Sequence, residues 1–127
     1  MSKKILVIDD DKKHLITVKE ILEGEGHDVY MHDQPFGSTY LVKTLAPDLI
    51  LLDINMPGLS GDALAKVIRS HSRTKDIPIV FYSSNDEDTL RQMVLFHKVK
   101  GYICKGDIYG LRKKVALYLN SHNGEDN

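Results

Sequence analysis

The chain has 127 residues, 42% of them hydrophobic, with 17 lysines and arginines against 18 aspartates and glutamates. This length suits one domain with a full core, and the charge balance gives no basic excess for nucleic acid or an anionic membrane. No apolar run approaches the ~18 residues of a membrane span, and the single cysteine, Cys104, excludes an internal disulfide and a cysteine-built metal site.

Short apolar runs alternate with longer amphipathic stretches, the pattern of βαβ units around a parallel sheet. The first strand, Lys4–Ile8, is apolar after its lysine, as expected of a strand buried on both faces, and it runs into Asp9, Asp10 and Asp11. Only four apolar residues follow Lys3-Lys4 before these acids, so no signal peptide is read and a reducing, cytoplasmic setting is expected. A helix follows from Lys12 with Leu15, Val18 and Leu22 on one face, stopped by Gly24 and Gly26. Residues 27–32 alternate Val29 and Met31 against Tyr30 and His32, which suggests an edge strand.

A second helix over 36–45 ends before Pro47, and a third strand over 48–52 runs into Asp53. After the loop 55–60, a third helix is predicted to turn Leu64, Val67 and Ile68 to the core. The fourth strand, 77–82, ends at Ser83 and Ser84. Ser84-Asn85-Asp86-Glu87 then has the spacing of a capping box, opening a helix with Leu90, Met93 and Val94 inward. A fifth strand over 99–104 runs into Lys105, and Asp107 is predicted to cap a last helix with Leu111, Val115 and Tyr118 inward. Residues 1–120 form the domain, and 121–127 read as a polar, frayed tail.

The fold class is therefore α/β, a doubly wound five-stranded parallel sheet. Right-handed crossovers place every strand-to-helix loop at the carboxyl edge, where ligands bind. Asp9 and Asp10 then open beside Asp53, and clustered carboxylates repel by about 4 kcal/mol per pair at about 4 Å and an effective dielectric of about 20. A divalent cation relieves that repulsion, and hard oxygens without clustered His or Cys favour magnesium. Lys105 adds a second cation, Ser83 a hydroxyl, and Asp53, alone at its strand end, a nucleophile capable of forming an acyl phosphate. Ser84 and Asn85 are small or neutral and leave a path for a donor and for water.

Ile5-Leu6-Val7-Ile8-Asp9-Asp10, then Leu52-Asp53-Ile54-Asn55-Met56-Pro57-Gly58 with Gly61, then Pro78 leading to Ser83, then Gly101-Tyr102-Ile103-Cys104-Lys105 resemble the receiver domain of two-component response regulators. The resemblance covers nearly the whole chain. It implies a flavodoxin-like (βα)5 fold with strand order 2-1-3-4-5 and a phosphorylation-controlled signalling switch of the stand-alone type. Asp53 would accept a phosphoryl group from a phosphohistidine on a sensor histidine kinase or phosphotransfer protein. Asp9, Asp10, Asp53 and the main-chain carbonyl of Asn55 would hold magnesium. Ser83 and Lys105 would bind the phosphoryl group and Tyr102 would follow as the switch aromatic, re-shaping the face of the fourth helix, fifth strand and fifth helix for a downstream protein. Asn55, Ser84 and Asn85 would set access and lifetime.

The family usually has Pro after the lysine; Gly106 stands there instead, so a trans peptide and a looser loop are expected. The domain would promote its own phosphorylation and dephosphorylation without a separate substrate. It would work as a monomer or weak homodimer, with no direct contact to nucleic acid or membrane. Two other readings compete. Asp9-Asp10-Asp11 also fits a haloacid-dehalogenase-type phosphatase, although Lys12-Lys13 stand where Thr or Val is usual and there is no room for a cap domain. Gly106 alone supports a pseudo-receiver that binds without being phosphorylated. The histidines show no ligand spacing and are unassigned.

Overall fold

The computed structural model describes residues 2–124, with side chains for 2–120. Five strands alternate with five helices: β1 (Lys4–Ile8), α1 (Lys12–Gly24), β2 (Asp28–His32), α2 (Ser38–Leu45), β3 (Leu49–Leu52), α3 (Gly61–Ser70), β4 (Ile79–Ser83), α4 (Glu87–His97), β5 (Gly101–Cys104) and α5 (Ile108–Gly124). The strands form one parallel sheet in the order β2-β1-β3-β4-β5, so β2 is an edge strand as its alternation predicts.

Period-2 alternation splits the central strands between two cores. Ile5, Val7, Leu49, Leu51, Val80, Tyr82 and Ile103 face Leu15, Val18 and Leu22 of α1 and Leu111, Val115 and Leu119 of α5. Leu6, Ile8, Ile50, Leu52, Ile79 and Phe81 face Val42 of α2, Leu64 and Ile68 of α3, and Leu90 of α4. Both faces of β1, β3 and β4 are thus sealed, which leaves the strand ends as the place where polar groups meet.

Three expectations are revised. Val67 is 38% exposed, because Gly61, Leu64, Ala65 and Ile68 make the buried face of α3. At about 100° per residue, Val67 falls about 110° from the middle of that face. Ile77 precedes β4, which instead extends to Ser83. The capping box over 84–87 does not form: Asp86 is the cap, its side chain accepting from Thr89 N at 3.3 Å. Ser83 Oγ accepts from Asn85 N at 3.1 Å, and that turn carries the chain past Ser84 before the helix begins.

Two further acids cap their helices, Asp107 as predicted. Asp11 accepts from Lys13 N at 2.9 Å and His14 N at 3.4 Å, and Asp107 accepts from Gly110 N at 2.8 Å. The predicted tail, 121–127, overlaps the last turn of α5 and beyond Gly124 lies outside the described residues.

Candidate metal centre at the carboxyl edge of the sheet

Asp9 is one residue past β1, Asp53 one past β3, Ser83 the last of β4, and Lys105 one past β5. Backbone bonding continues past the strands and fixes these positions. Asp9 N donates to His32 O at 3.1 Å, Asp53 N to Ile8 O at 2.9 Å, and Lys105 N to Ser83 O at 2.9 Å. Two carboxylates, a hydroxyl and an ammonium therefore sit on a rigid edge.

Asp9 and Asp53 are fully buried, at 0% and 2% exposure. Lys105 Nζ lies 2.9 Å from Asp9 Oδ2 and 3.3 Å from Asp53 Oδ1. Asp11 N donates to Asp9 Oδ1 at 2.9 Å, and Asn55 N to Asp53 Oδ1 at 3.4 Å. Burial above all, and then the Asp9 charge, push the Asp53 carboxyl up to about 6, against the pull of Lys105 and of Asn55 N. Burial works against the Lys105 ammonium, yet its close approach to Asp9 and the charge of Asp53 hold it above the usual lysine value.

One lysine does not neutralise this edge. Exposed Asp10 brings a third carboxylate, and oxygens of Asp9, Asp10 and Asp53 all lie within 4.8 Å of one another. Asp9 Oδ2, though beside Lys105, receives no aligned hydrogen bond despite its burial. Three hard oxygens, one with an unfilled lone pair, fit a magnesium ion that retains several waters. Protons compete with the cation at Asp53, so magnesium affinity is expected to hold above pH ~6 and to fall up to about ten-fold per unit below it. Calorimetric titration across pH ~5 to ~8 measures this; a flat profile contradicts it. The linkage for stability has the opposite sense. A carboxyl raised above its unfolded value favours folding when protonated, so metal-free stability falls as pH rises from about 4 through about 6.

Ser83 is fully buried, and its Oγ also receives Asn55 Nδ2 at 3.5 Å. Asn55 Nδ2 donates to Asn85 Oδ1 at 2.9 Å, so an amide pair closes over the hydroxyl while Ser84 stands exposed at the rim. Tyr102 is not in the cluster. Its hydroxyl donates to Glu87 Oε2 at 2.8 Å, and Lys114 Nζ lies 4.4 Å from its ring centroid, which places it among α4, β5 and α5.

Sequence reasoning missed two neighbours of the site. His14 Nδ1 is 3.3 Å from Asp11 Oδ2 and 3.7 Å from Asp9 Oδ2; its position three residues after the cap was the available signal. Tyr82 sits edge-on to His14, with ring centroids 6.5 Å apart, and its centroid is 5.8 Å from Lys105 Nζ. Its place in an apolar run gave no sign of this.

Comparison with known proteins bears on the family and the fold. The sequence model of the response regulator receiver domain matches residues 5–116. Protein PilG of Pseudomonas aeruginosa is 33% identical over 106 residues, 84% of this chain and 73% of that protein. The DNA-binding response regulator MtrA of Mycobacterium tuberculosis is 33% identical over 87 residues, 68% of this chain but 37% of that longer protein. Among solved structures, a CheY-like receiver domain protein of Methanospirillum hungatei superposes with a TM-score of 0.85 at 24% identity, covering 98% of this chain and 99% of its own. The chemotaxis protein CheY4 of Vibrio cholerae also gives 0.85, at 22% identity over 93% of this chain and 99% of its own.

Proposed function

The chain belongs to the response regulator receiver domain family, and from that premise we propose that it is a signalling switch whose Asp53 accepts a phosphoryl group from a phosphohistidine. The observation that carries this reading is the buried Asp53 carboxylate held against Lys105 within 4.8 Å of carboxylate oxygens of Asp9 and Asp10. In the transfer an Asp53 oxygen bonds to phosphorus, the phosphorus–nitrogen bond breaks, and its electron pair stays on the imidazole of the donor. Asp9, Asp10, Asp53 and the Asn55 carbonyl would hold magnesium, which when bound neutralises charge on the phosphoryl oxygens. Lys105 supplies the second cation. Above pH ~6 Asp53 is ionised and ready to attack.

A cavity of about 340 Å³ lined by Lys12, Leu15, Ile16, Met31, His32 and Asp33 lies between α1 and the end of β2. A histidine kinase or phosphotransfer protein would approach there. After transfer, Ser83 gives up Asn85 N and donates to a phosphoryl oxygen. Tyr102 then follows inward and changes the α4–β5–α5 face presented to a downstream protein. Asn55 and Asn85, paired across the entrance, limit attack by water on the acyl phosphate, and Ser84 leaves the rim open. The domain acts on itself and needs no separate substrate. The free Cys104 is compatible with a reducing cytoplasm.

In the resting state Glu87 holds Tyr102 outward while also pairing with Arg91 at 3.1 Å. Glu87→Ala is therefore expected to release Tyr102 and raise beryllofluoride affinity about three-fold in magnesium. Fluorine NMR titration measures this; unchanged affinity removes Glu87 from the switch. The function itself is tested with acetyl phosphate and magnesium. One phosphoryl group per chain is expected by intact mass, lost when magnesium is chelated beforehand. A folded protein that takes up none refutes the reading.

A further inference from the structure

The sheet has a second polar edge, at the amino ends of its strands and opposite Asp53. A cavity of about 520 Å³ opens there, where α3 and α4 end and β4 and β5 begin. Arg69, Lys75, Lys98 and Lys100 line it, and Asp76 is the one carboxylate among its lining residues. Several cations elsewhere are matched: Lys12 with Asp33, Lys19 with Glu23, Arg91 with Glu87 and Asp88. Among the described residues, no ion pair or side-chain hydrogen bond engages Arg69, Lys75 or Lys98. Asp76 and the two helix C-termini, at about half a negative charge each, offset roughly two of the four cations. About two positive charges remain, which suits a phosphate dianion.

Lys98 adds a second observation. It follows α4 with φ +56°, a left-handed conformation that glycine takes freely and a residue with a Cβ does not. The chain thus accepts backbone strain at the point where a lysine reaches the cavity. Arg69 also lines a neighbouring cavity of about 320 Å³ with Lys66, Ser70, Phe96 and His97. Phe96 is 78% exposed, an open ring beside the cations. The two cavities share Arg69, so cations for phosphate adjoin an aromatic surface for a planar base. Both fall within the ~300–1,000 Å³ of small-molecule sites, which favours a small ligand over a protein surface.

We propose that this edge is a nucleotide site: Arg69, Lys75, Lys98 and Lys100 hold the phosphates, and the base stacks on Phe96. It stands apart from the receiver reading, which rests on the opposite edge.

The test is ADP titrated into the full chain in chelator, so that no magnesium draws phosphates to Asp53, and followed by amide chemical shifts. Shifts over residues 69–75 and 96–100 are expected, with a Kd below about 1 mM at low salt and weaker binding as salt rises. Arg69→Ala and Lys98→Gly are each expected to weaken binding about five-fold. Lys98→Gly also relieves the left-handed strain, so its effect is not one of misfolding. Phe96→Ala is expected to weaken ADP about five-fold and to leave pyrophosphate unchanged. Absence of binding at about 1 mM, or shifts confined to the Asp53 edge, would overturn the proposal. Equal affinity for ADP and pyrophosphate, with no effect of Phe96→Ala, would reduce the site to an anion patch and overturn it too. A polyglutamate peptide that displaces ADP at lower concentration would assign the surface to an acidic protein instead. None of these outcomes bears on phosphorylation of Asp53.

Discussion

Replacing Asp53 with asparagine is expected to abolish phosphorylation while making the metal-free protein more stable. The two effects share one cause. The wild-type carboxyl is raised from 3.8 to about 6 by burial and by Asp9, so ionising it at neutral pH opposes folding. A shift of about two units corresponds to about 3 kcal/mol. Asparagine keeps the shape and removes the charge, but it also takes a partner from Lys105, so the net gain is expected at about 1–2 kcal/mol. Denaturant unfolding in chelator at neutral pH, beside an acetyl phosphate assay on the same sample, reads both. Labelling that survives would mean that another residue is the acceptor. A less stable variant would mean that the pairing with Lys105 outweighs the burial of Asp53.

Gly61→Ala is expected to have the largest effect on the fold. Gly61 is the first residue of α3, and its N–H donates to Ile54 O at 2.8 Å. A Cβ built there falls on the Asp53 carbonyl oxygen and 2.8 Å from Ile54 Cα. Both are backbone atoms of the segment that leaves β3, so no side-chain rotation relieves the clash. Either α3 moves away or the Asp53 backbone shifts. A loss of about 3–5 kcal/mol is expected, with magnesium affinity falling in parallel because Asp53 is displaced from Asp9 and Asp10. Thermal unfolding with and without magnesium measures this. A variant within about 1 kcal/mol of wild type would show that the β3–α3 segment yields easily.

What was legible in the sequence follows from how local each signal was. β1, β3 and β4 are buried on both faces, so apolar runs announced them, and each run stops where a polar residue enters the site. Asp9, Asp53 and Lys105 were thus readable from strand endings alone. The start of α4 was not. Ser84 and Glu87 have capping-box spacing, but Ser83 Oγ claims Asn85 N, and the cap passes to Asp86. Glu87 is then released to meet Tyr102, from a different strand. Val67 misled because an apolar residue near a buried face is not always on it. Gly106 advertised a departure from the family pattern, and its φ of +89° is a conformation that proline cannot take. Only the pairing of β4 with β5, Ser83 opposite Cys104, brings the Tyr82 ring to 5.8 Å from Lys105 Nζ.

That same pairing would set the pace of the proposed switch. Lys105 N is bonded to Ser83 O at 2.9 Å, so the main chains of the hydroxyl and the ammonium are parts of a single rigid body. The β3–β4 pairing, Leu52 opposite Phe81, in turn resists a slide of the Ser83 strand toward Asp53. Ser83 can instead turn its hydroxyl about the Cα–Cβ bond, breaking the 3.1 Å contact with Asn85 N as it goes. Rotamer hops of this kind are fast beside collective motions of helices, which take microseconds or longer. If Asp53 accepts a phosphoryl group as proposed, the first event would be a single-bond rotation, and any delay in signalling would arise downstream of it, in the packing of α4 around Tyr102.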